Sequence, residues 1–271
     1  MPIVFACAGS HAPGIRAWTE RAPKAQVDNL FGGYASVREA MEEARPEIVL
    51  LLTSEHWANF FEHVGAFCVG RGESFDGPIE PWLRVDNAKV KGDPAFATRL
   101  LEHCYGNGFE LSFTHEMKFD HGSMVPLSFL TPDMNVRVVP IMFNALSTPR
   151  PTSARCLALG RALRPFLEQA PERIAVVATG GLSHDPGERN HGFIDTDFDA
   201  RFIADMTAAD PDRLTRYSDA DLLRAGAGTL ELLAWICLAG IMGDRKARLV
   251  AYEAVEPWAT GMGIVSYDRA A

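Results

Sequence analysis

The stretch Ile174-Ala175-Val176-Val177-Ala178-Thr179-Gly180-Gly181-Leu182-Ser183-His184-Asp185-Pro186 decides how the rest of the chain is read. Ile174–Ala178 is a short, unbroken apolar run that stops at turn residues. A run of that kind reads as a strand buried on both faces, as in a largely parallel sheet. The same pattern recurs at Ile3–Ala8, Ile48–Leu52 and Val136–Phe143. Helical patterns lie between these runs. Asp28–Ala44 puts Tyr34, Val37 and Met41 on one face, and Asp93-Pro94 opens a helix that reaches Gly106-Asn107-Gly108. Thr152–Gln169 spaces Cys156, Leu159, Leu163 and Leu167 helically, and Asp197–Thr207 does the same with Phe198, Phe202 and Met206. Strand and helix alternate, which predicts an α/β fold: a single-domain layered α/β/α sandwich around a largely parallel or mixed sheet, covering residues 1–271.

Composition narrows the function. The 271 residues hold 26 Lys and Arg against 35 Asp and Glu, a formal charge of −9. That balance argues against nucleic acid or an anionic membrane as a partner, because both reward clustered cations. A 47% hydrophobic, 23% charged mixture is that of an ordinary globular chain. Cys7, Cys68, Cys104, Cys156 and Cys237 are scattered and form no C-x-x-C, so they read as reduced thiols of a cytoplasmic protein. The N-terminus lacks the features of a signal peptide, and the longest apolar candidate, Leu230–Met242, contains Glu231 and Gly240.

The histidines carry the chemistry. His11, His56 and His184 each sit just past the carboxyl end of a predicted buried strand, where open α/β sheets bind their ligands. His121 follows Asp120, which is placed to orient its ring. Glu231 is the single charge within Gly226–Gly243. An unpaired carboxylate in a buried helix is costly, so either Thr229 caps the helix with Glu231 in its first turn, or a divalent cation compensates the charge. Two imidazoles and a carboxylate form the facial triad that suits non-haem Fe(II) and dioxygen. Zinc uses the same donors for hydrolysis, and spacing chooses neither the metal nor which two histidines bind. Other chemistries fit poorly: Gly181–Asp185 is no nucleophile elbow, and the chain contains no P-loop and no H-E-x-x-H.

With these residues in view, the sequence resembles the class III extradiol ring-cleaving dioxygenases of the LigB type. That group includes the β subunit of protocatechuate 4,5-dioxygenase and the 2,3-dihydroxyphenylpropionate 1,2-dioxygenases. The matching segments are Ser10-His11-Ala12-Pro13, Glu55-His56-Trp57 with Phe60-Phe61, Phe67–Gly70, Asp120-His121-Gly122 with Val125-Pro126-Leu127, Gly180–His184, and Glu231–Trp235. Residues Gly192–Asp199 resemble the protocatechuate branch, and the tail Pro257–Gly263 resembles the phenylpropionate branch.

The resemblance implies Fe(2+) held by His11, His56 and Glu231, with His121 and His184 as an acid–base pair. In that mechanism His184 is the base that takes a hydroxyl proton and His121 the acid. It also implies a small aromatic diol or aminophenol and O2 as substrates. A homo-oligomer follows too, with or without a separate small subunit to cover the site. Trp57, Phe60, Phe61 and Trp258 are candidates to wall the pocket, Arg189 and His191 to hold a substrate carboxylate, and Thr260 to touch the substrate. His63, His103 and His115 are assigned to structure or surface. Two alternatives stand beside this reading. One is a zinc-dependent hydrolase or lyase on the same scaffold. The other is a non-catalytic partner subunit, which is disfavoured because all five candidate residues are kept.

Overall fold

In the computed structural model, which describes residues 2–54, 56–187 and 190–267, the apolar runs become the middle of one sheet. The strands are β1 (Ile3–Gly9), β2 (Ile48–Ser54), β3 (Phe67–Gly70), β4 (Ser74–Gly77), β5 (Ala88–Lys91), β6 (Ser112–Thr114), β7 (Arg137–Phe143), β8 (Ile174–Thr179), β9 (Ala247–Val255) and β10 (Thr260–Tyr267). The helices are α1 (Gly14–Ala17), α2 (Lys24–Ala44), α3 (Pro94–Gly106), α4 (His121–Leu130), α5 (Ser153–Gln169), α6 (Thr196–Met206), α7 (Asp219–Arg224) and α8 (Leu232–Met242). Among the described residues the main sheet has the order β6-β3-β7-β2-β8-β1-β10-β9, and β4 pairs with β5 apart from it. The centre, β7-β2-β8-β1, is parallel. Strands β3 and β10 join it antiparallel, as does β9 on β10, so the sheet is mixed.

The central strands are buried on both sides, and their alternation feeds two cores. Ala6, Ala8, Leu50, Leu52, Val176 and Ala178 face α3, α5 and α8. Phe5, Cys7, Val49, Leu51, Ala175 and Val177 face α2 and α4. The result is the three-layer sandwich that the alternation of elements predicts. All five cysteines are free and buried. No helix among the described residues is long and apolar enough to cross a membrane.

Two local readings change. Helix α2 starts at Lys24, because the Pro23 carbonyl already accepts from the amides of Gln26 and Val27. The segment opening at Gly226 is not one helix: a 3₁₀ turn, Ala227–Glu231, precedes α8. Thr229 does not cap it, since its hydroxyl is buried without a hydrogen bond among the described residues. Glu231 therefore stands at the turn-to-helix junction with its carboxylate committed elsewhere. Parallel pairing of β1, β8, β2 and β7 brings their carboxyl ends, Gly9, Thr179, Ser54 and Phe143, to one rim.

Candidate metal centre

His11 and His56 each follow their strand by two residues, and His184 follows β8 by five, so all three loops open on that rim. Glu231 reaches the same point from the turn before α8. Its Oε2 lies 3.0 Å from His11 Nε2 and its Oε1 lies 2.7 Å from His56 Nε2. His184 Nε2 is 3.9 Å from Oε2. His121, the first residue of α4, completes the group: its ring centroid is 4.0 Å from that of His56 and 5.6 Å from that of His11. The ligand atoms of His11, His56 and His121 all lie within 4.8 Å of one another.

Each imidazole is held from behind at Nδ1. Asp120 Oδ2 is 3.1 Å from His56 Nδ1 and also accepts from the His56 amide at 2.7 Å. Glu80 Oε1 is 2.7 Å from His121 Nδ1, and the Leu182 carbonyl is 2.8 Å from His184 Nδ1. Carboxylates and carbonyls only accept, so these three rings carry a proton on Nδ1. For His11 the same follows through a relay. The Thr53 hydroxyl donates to the Ser54 carbonyl, the Thr179 hydroxyl donates to Thr53 Oγ1, and Thr179 Oγ1 is left to accept from His11 Nδ1 at 3.1 Å. All four rings thus show Nε2 to the site. Such partners behind the ring fix tautomer and orientation in histidine ligands.

That arrangement makes the Glu231 contacts informative. His11 Nε2 is buried and makes no hydrogen bond among the described residues, although Glu231 Oε2 is 3.0 Å away. Two lone pairs that face each other this closely in a buried site call for a positive charge between them, a proton or a metal ion. Donors bound to one metal at ~2.0–2.2 Å and at right angles are about 3 Å apart, which the separations of 2.7 and 3.0 Å match. The residues therefore fit a divalent metal. Without a metal the same groups pair as ions. Burial works against the charged His56 ring, but Asp120 and Glu231, one at each nitrogen, outweigh it and hold its pKa well above the imidazole range. Burial would raise the Glu231 carboxyl, yet His11 and His56 keep it well below the usual carboxylate range. Burial lowers both His121 and His184, and neighbouring His56 adds to the effect on each.

The loop that carries His184 is pinned at both sides. Asp199 accepts from the Ser183 amide at 2.8 Å, the Ser183 hydroxyl at 2.9 Å and the Tyr252 hydroxyl at 2.8 Å. Burial pushes Asp199 up to about 6. On the other side the Gly228 amide donates to the His184 carbonyl at 3.0 Å. A Cβ on Gly228 would stand 2.0 Å from His184 Nε2, so only glycine allows this approach. The two residues after β8 are explained likewise: a Cβ on Gly180 would stand 2.9 Å from Glu231 Cβ and one on Gly181 2.4 Å from His184 Cε1, and the Gly181 amide donates to Glu231 Oε2 at 2.6 Å.

His11, His56, His121, His184 and Glu231 are thus brought together. Asp120 orients His56, 64 residues away, and not its neighbour His121, because the turn into α4 directs its carboxylate back toward β2. Glu80, unnoticed in the sequence, takes the place behind His121. The aromatic candidates divide. Trp57, 48% exposed, and Phe60 line a small cavity with Cys68, Phe143 and Asn144 beside the rim. Phe61 is 68% exposed. Trp258 is buried against Gly14 and donates from Nε1 to the Trp18 carbonyl, and the Thr260 hydroxyl donates to the Trp258 carbonyl. His191 is exposed and accepts from the Gly187 amide. Arg189 lies outside the described residues. Trp82, which no sequence pattern marks, lies 6.3 Å from His121 between ring centroids. His103 bonds the Ala162 carbonyl as a structural residue, and His63 and His115 are exposed.

Comparison with known proteins gives the geometry a context. Gallate dioxygenase of Pseudomonas putida is 34% identical over 169 residues, 60% of this chain and 49% of the relative. The 2,3-dihydroxyphenylpropionate/2,3-dihydroxicinnamic acid 1,2-dioxygenase of Mycolicibacterium smegmatis is 31% identical over 189 residues, 69% of this chain and 58% of the relative. These matches therefore span only about half to three fifths of the relatives' length. The enzyme of the same name from Photorhabdus laumondii is 22% identical and matches over 90% of this chain and 91% of its own. The crystal structure of the uncharacterized protein JW3007 from Escherichia coli K12 shares the fold, with a TM-score of 0.63, 19% identity, and coverage of 97% of this chain and 99% of that one. The profile of the family described as the catalytic LigB subunit of aromatic ring-opening dioxygenase matches residues 6–263. That span takes in all four imidazoles and Glu231, and by it the chain belongs to the LigB family.

Proposed function

We propose that the protein is an Fe(II)-dependent extradiol dioxygenase that opens a catecholic or aminophenolic ring, with His11, His56 and Glu231 as the metal ligands. The observation that carries this reading is the buried, unbonded His11 Nε2 facing Glu231 Oε2 at 3.0 Å. Two imidazoles and one carboxylate leave neighbouring coordination positions for a bidentate substrate and for dioxygen. Ferrous iron supplies the electronic link between the chelated diol and O2 that neither partner has alone.

The protein's own residues handle protons and position. A vicinal diol brings two hydroxyl protons. His184, with its Nδ1 proton fixed by Leu182, accepts one at Nε2. His121 is held in the same tautomer by Glu80, so it takes a proton at Nε2 before it can return one as the acid. Burial of Glu231 and His11 keeps water from competing at the ligands. The homo-oligomer implied by the resemblance, with or without a small covering subunit, belongs to the same reading. Trp57, Phe61, Trp82 and Phe193 are large apolar side chains left exposed.

A second reading makes His121 the third ligand in place of Glu231, a three-imidazole site that suits zinc hydrolysis. The close grouping of the three imidazoles favours it. The shorter Glu231 contacts favour the first. Oxygen uptake by Fe(II)-loaded protein tests both, with catechols, protocatechuate, gallate and aminophenols as substrates. The expected result is O2 consumption that matches the appearance of the yellow, ring-opened product. Turnover of any of these compounds without O2 would overturn the dioxygenase reading.

A further inference from the structure

Glu80 lies on the segment that joins β4 to β5, outside the main sheet, yet its side chain is only 13% exposed. Its Oε1 accepts from the His121 amide at 3.1 Å and lies 2.7 Å from Nδ1 of the same residue. The hairpin has other anchors. The Ile79 amide donates to the Phe119 carbonyl, the Phe119 amide donates to the Asp76 carbonyl, and Trp82 stacks on Trp18 with centroids 5.4 Å apart. Glu80 Oε2 is buried and makes no hydrogen bond among the described residues. A half-satisfied buried carboxylate weakens a fold. Its contacts go to His121, and that is where its role lies.

We infer that Glu80 is a positioning residue that locks the His121 imidazole in the Nδ1-protonated tautomer, so that Nε2 meets the substrate as a proton acceptor. The neighbouring ring repeats the design, with Asp120 behind His56. Without an acceptor behind it, an imidazole is free to carry its proton on Nε2, where it donates and cannot accept. With Glu80 in place, the transfer is defined. The substrate O–H bond breaks, the electron pair stays on oxygen, and the proton binds Nε2. The resulting imidazolium keeps its Nδ1 hydrogen bond to the carboxylate. This role in the reaction rests on the dioxygenase reading, but the tautomer is a property of the free protein and is measured without substrate or metal.

The test is long-range ¹H–¹⁵N NMR of protein labelled in its histidine rings, with His121 assigned by the loss of its signals in His121→Gln. Wild type is expected to show Nδ1 protonated and Nε2 bare. Glu80→Gln, whose carbonyl still accepts, is expected to keep that pattern. Glu80→Leu is expected to shift His121 toward the Nε2-protonated form, and Glu80→Met serves as a second variant of the same kind. With Fe(II) loaded, the Leu variant is expected to lose ~10–100-fold in kcat, the range for partners that orient active-site histidines. KM should change by less than about threefold and Gln should restore most of the rate. A wild-type His121 protonated on Nε2 overturns the inference whichever variants fold. So does a Leu or Met variant with the wild-type pattern, or a Gln variant as impaired as Leu. If no diol is turned over, the function is wrong, and the NMR pattern still decides the role of Glu80.

Discussion

The rim of the main sheet and the β4–β5 hairpin bring carboxylates to one cluster of imidazoles from opposite kinds of structure. Glu231 comes from the rim side, 3% exposed, on a turn fused to a wholly buried helix, and touches two Nε2 atoms. Glu80 comes from a two-stranded hairpin outside the sheet and touches the far nitrogen of one ring. A group that must hold a metal has to resist displacement by close neighbours, and the core supplies that resistance. A group that only chooses a tautomer needs one good hydrogen bond, and a hairpin suffices. The rim should therefore govern whether metal is bound, and residues behind the rings should govern how tightly it is held and how well the site works.

The sharpest break is at Glu231. Glu231→Gln keeps the shape and removes the charge, and it is expected to reduce iron content after reconstitution to background, read by elemental analysis, with loss of ring opening. A variant that retained iron and activity would remove Glu231 from the ligand set. His184→Gln is expected to keep iron and slow turnover ~10²–10⁴-fold. Gly228→Ala sharpens the same point, because the added methyl stands 2.0 Å from His184 Nε2 and must displace the ring. It should keep iron and lose rate, and unchanged steady-state kinetics in both variants would take His184 out of the reaction.

How much of this the sequence disclosed depends on what the chemistry leaves in it. Strands buried on both faces require uninterrupted apolar runs, so Ile48–Leu52 and Ile174–Ala178 were readable, and parallel pairing then carried His11, His56 and His184 to one edge. Glu231 was readable because a charge in an apolar segment is out of place. The orienting partners were not. Asp120 stands beside His121 in the chain, and only the fold turns it to His56. Glu80 lies 41 residues from the ring it holds, and Thr179 lies 168 from His11. No periodicity records such pairs. The aromatics divide for a related reason: Trp258 follows the site in sequence order but packs on Gly14, whereas Trp82 approaches His121 from the hairpin.

Behind the rings the effects should be smaller. Asp120→Asn keeps an acceptor for His56 Nδ1 but removes the charge, and is expected to weaken metal binding ~10–100-fold in competition with a chelator. Wild-type affinity in that variant would mean that the Asp120 charge does not support the metal. The least effect on the centre belongs to Asp199, which supports it through Ser183. Burial pushes its folded carboxyl up to about 6, from an ordinary value near 3.8. Between those values the folded state binds more protons than the unfolded one, so stability falls as pH rises through the window and levels off above it. The total is on the order of 3 kcal/mol. Denaturant unfolding at pH 4.5 and 7 should show this fall in wild type relative to Asp199→Asn. An identical pH dependence in the two proteins would mean that the Asp199 pKa is not raised.

The most direct measurement is an anomalous-diffraction crystal structure of the protein loaded with Fe(II) without oxygen. The expected result is one iron within ~2.0–2.2 Å of His11 Nε2, His56 Nε2 and a Glu231 oxygen, with His121 and His184 unligated. Iron bound by His121 instead of Glu231, or no iron at this rim, would contradict it.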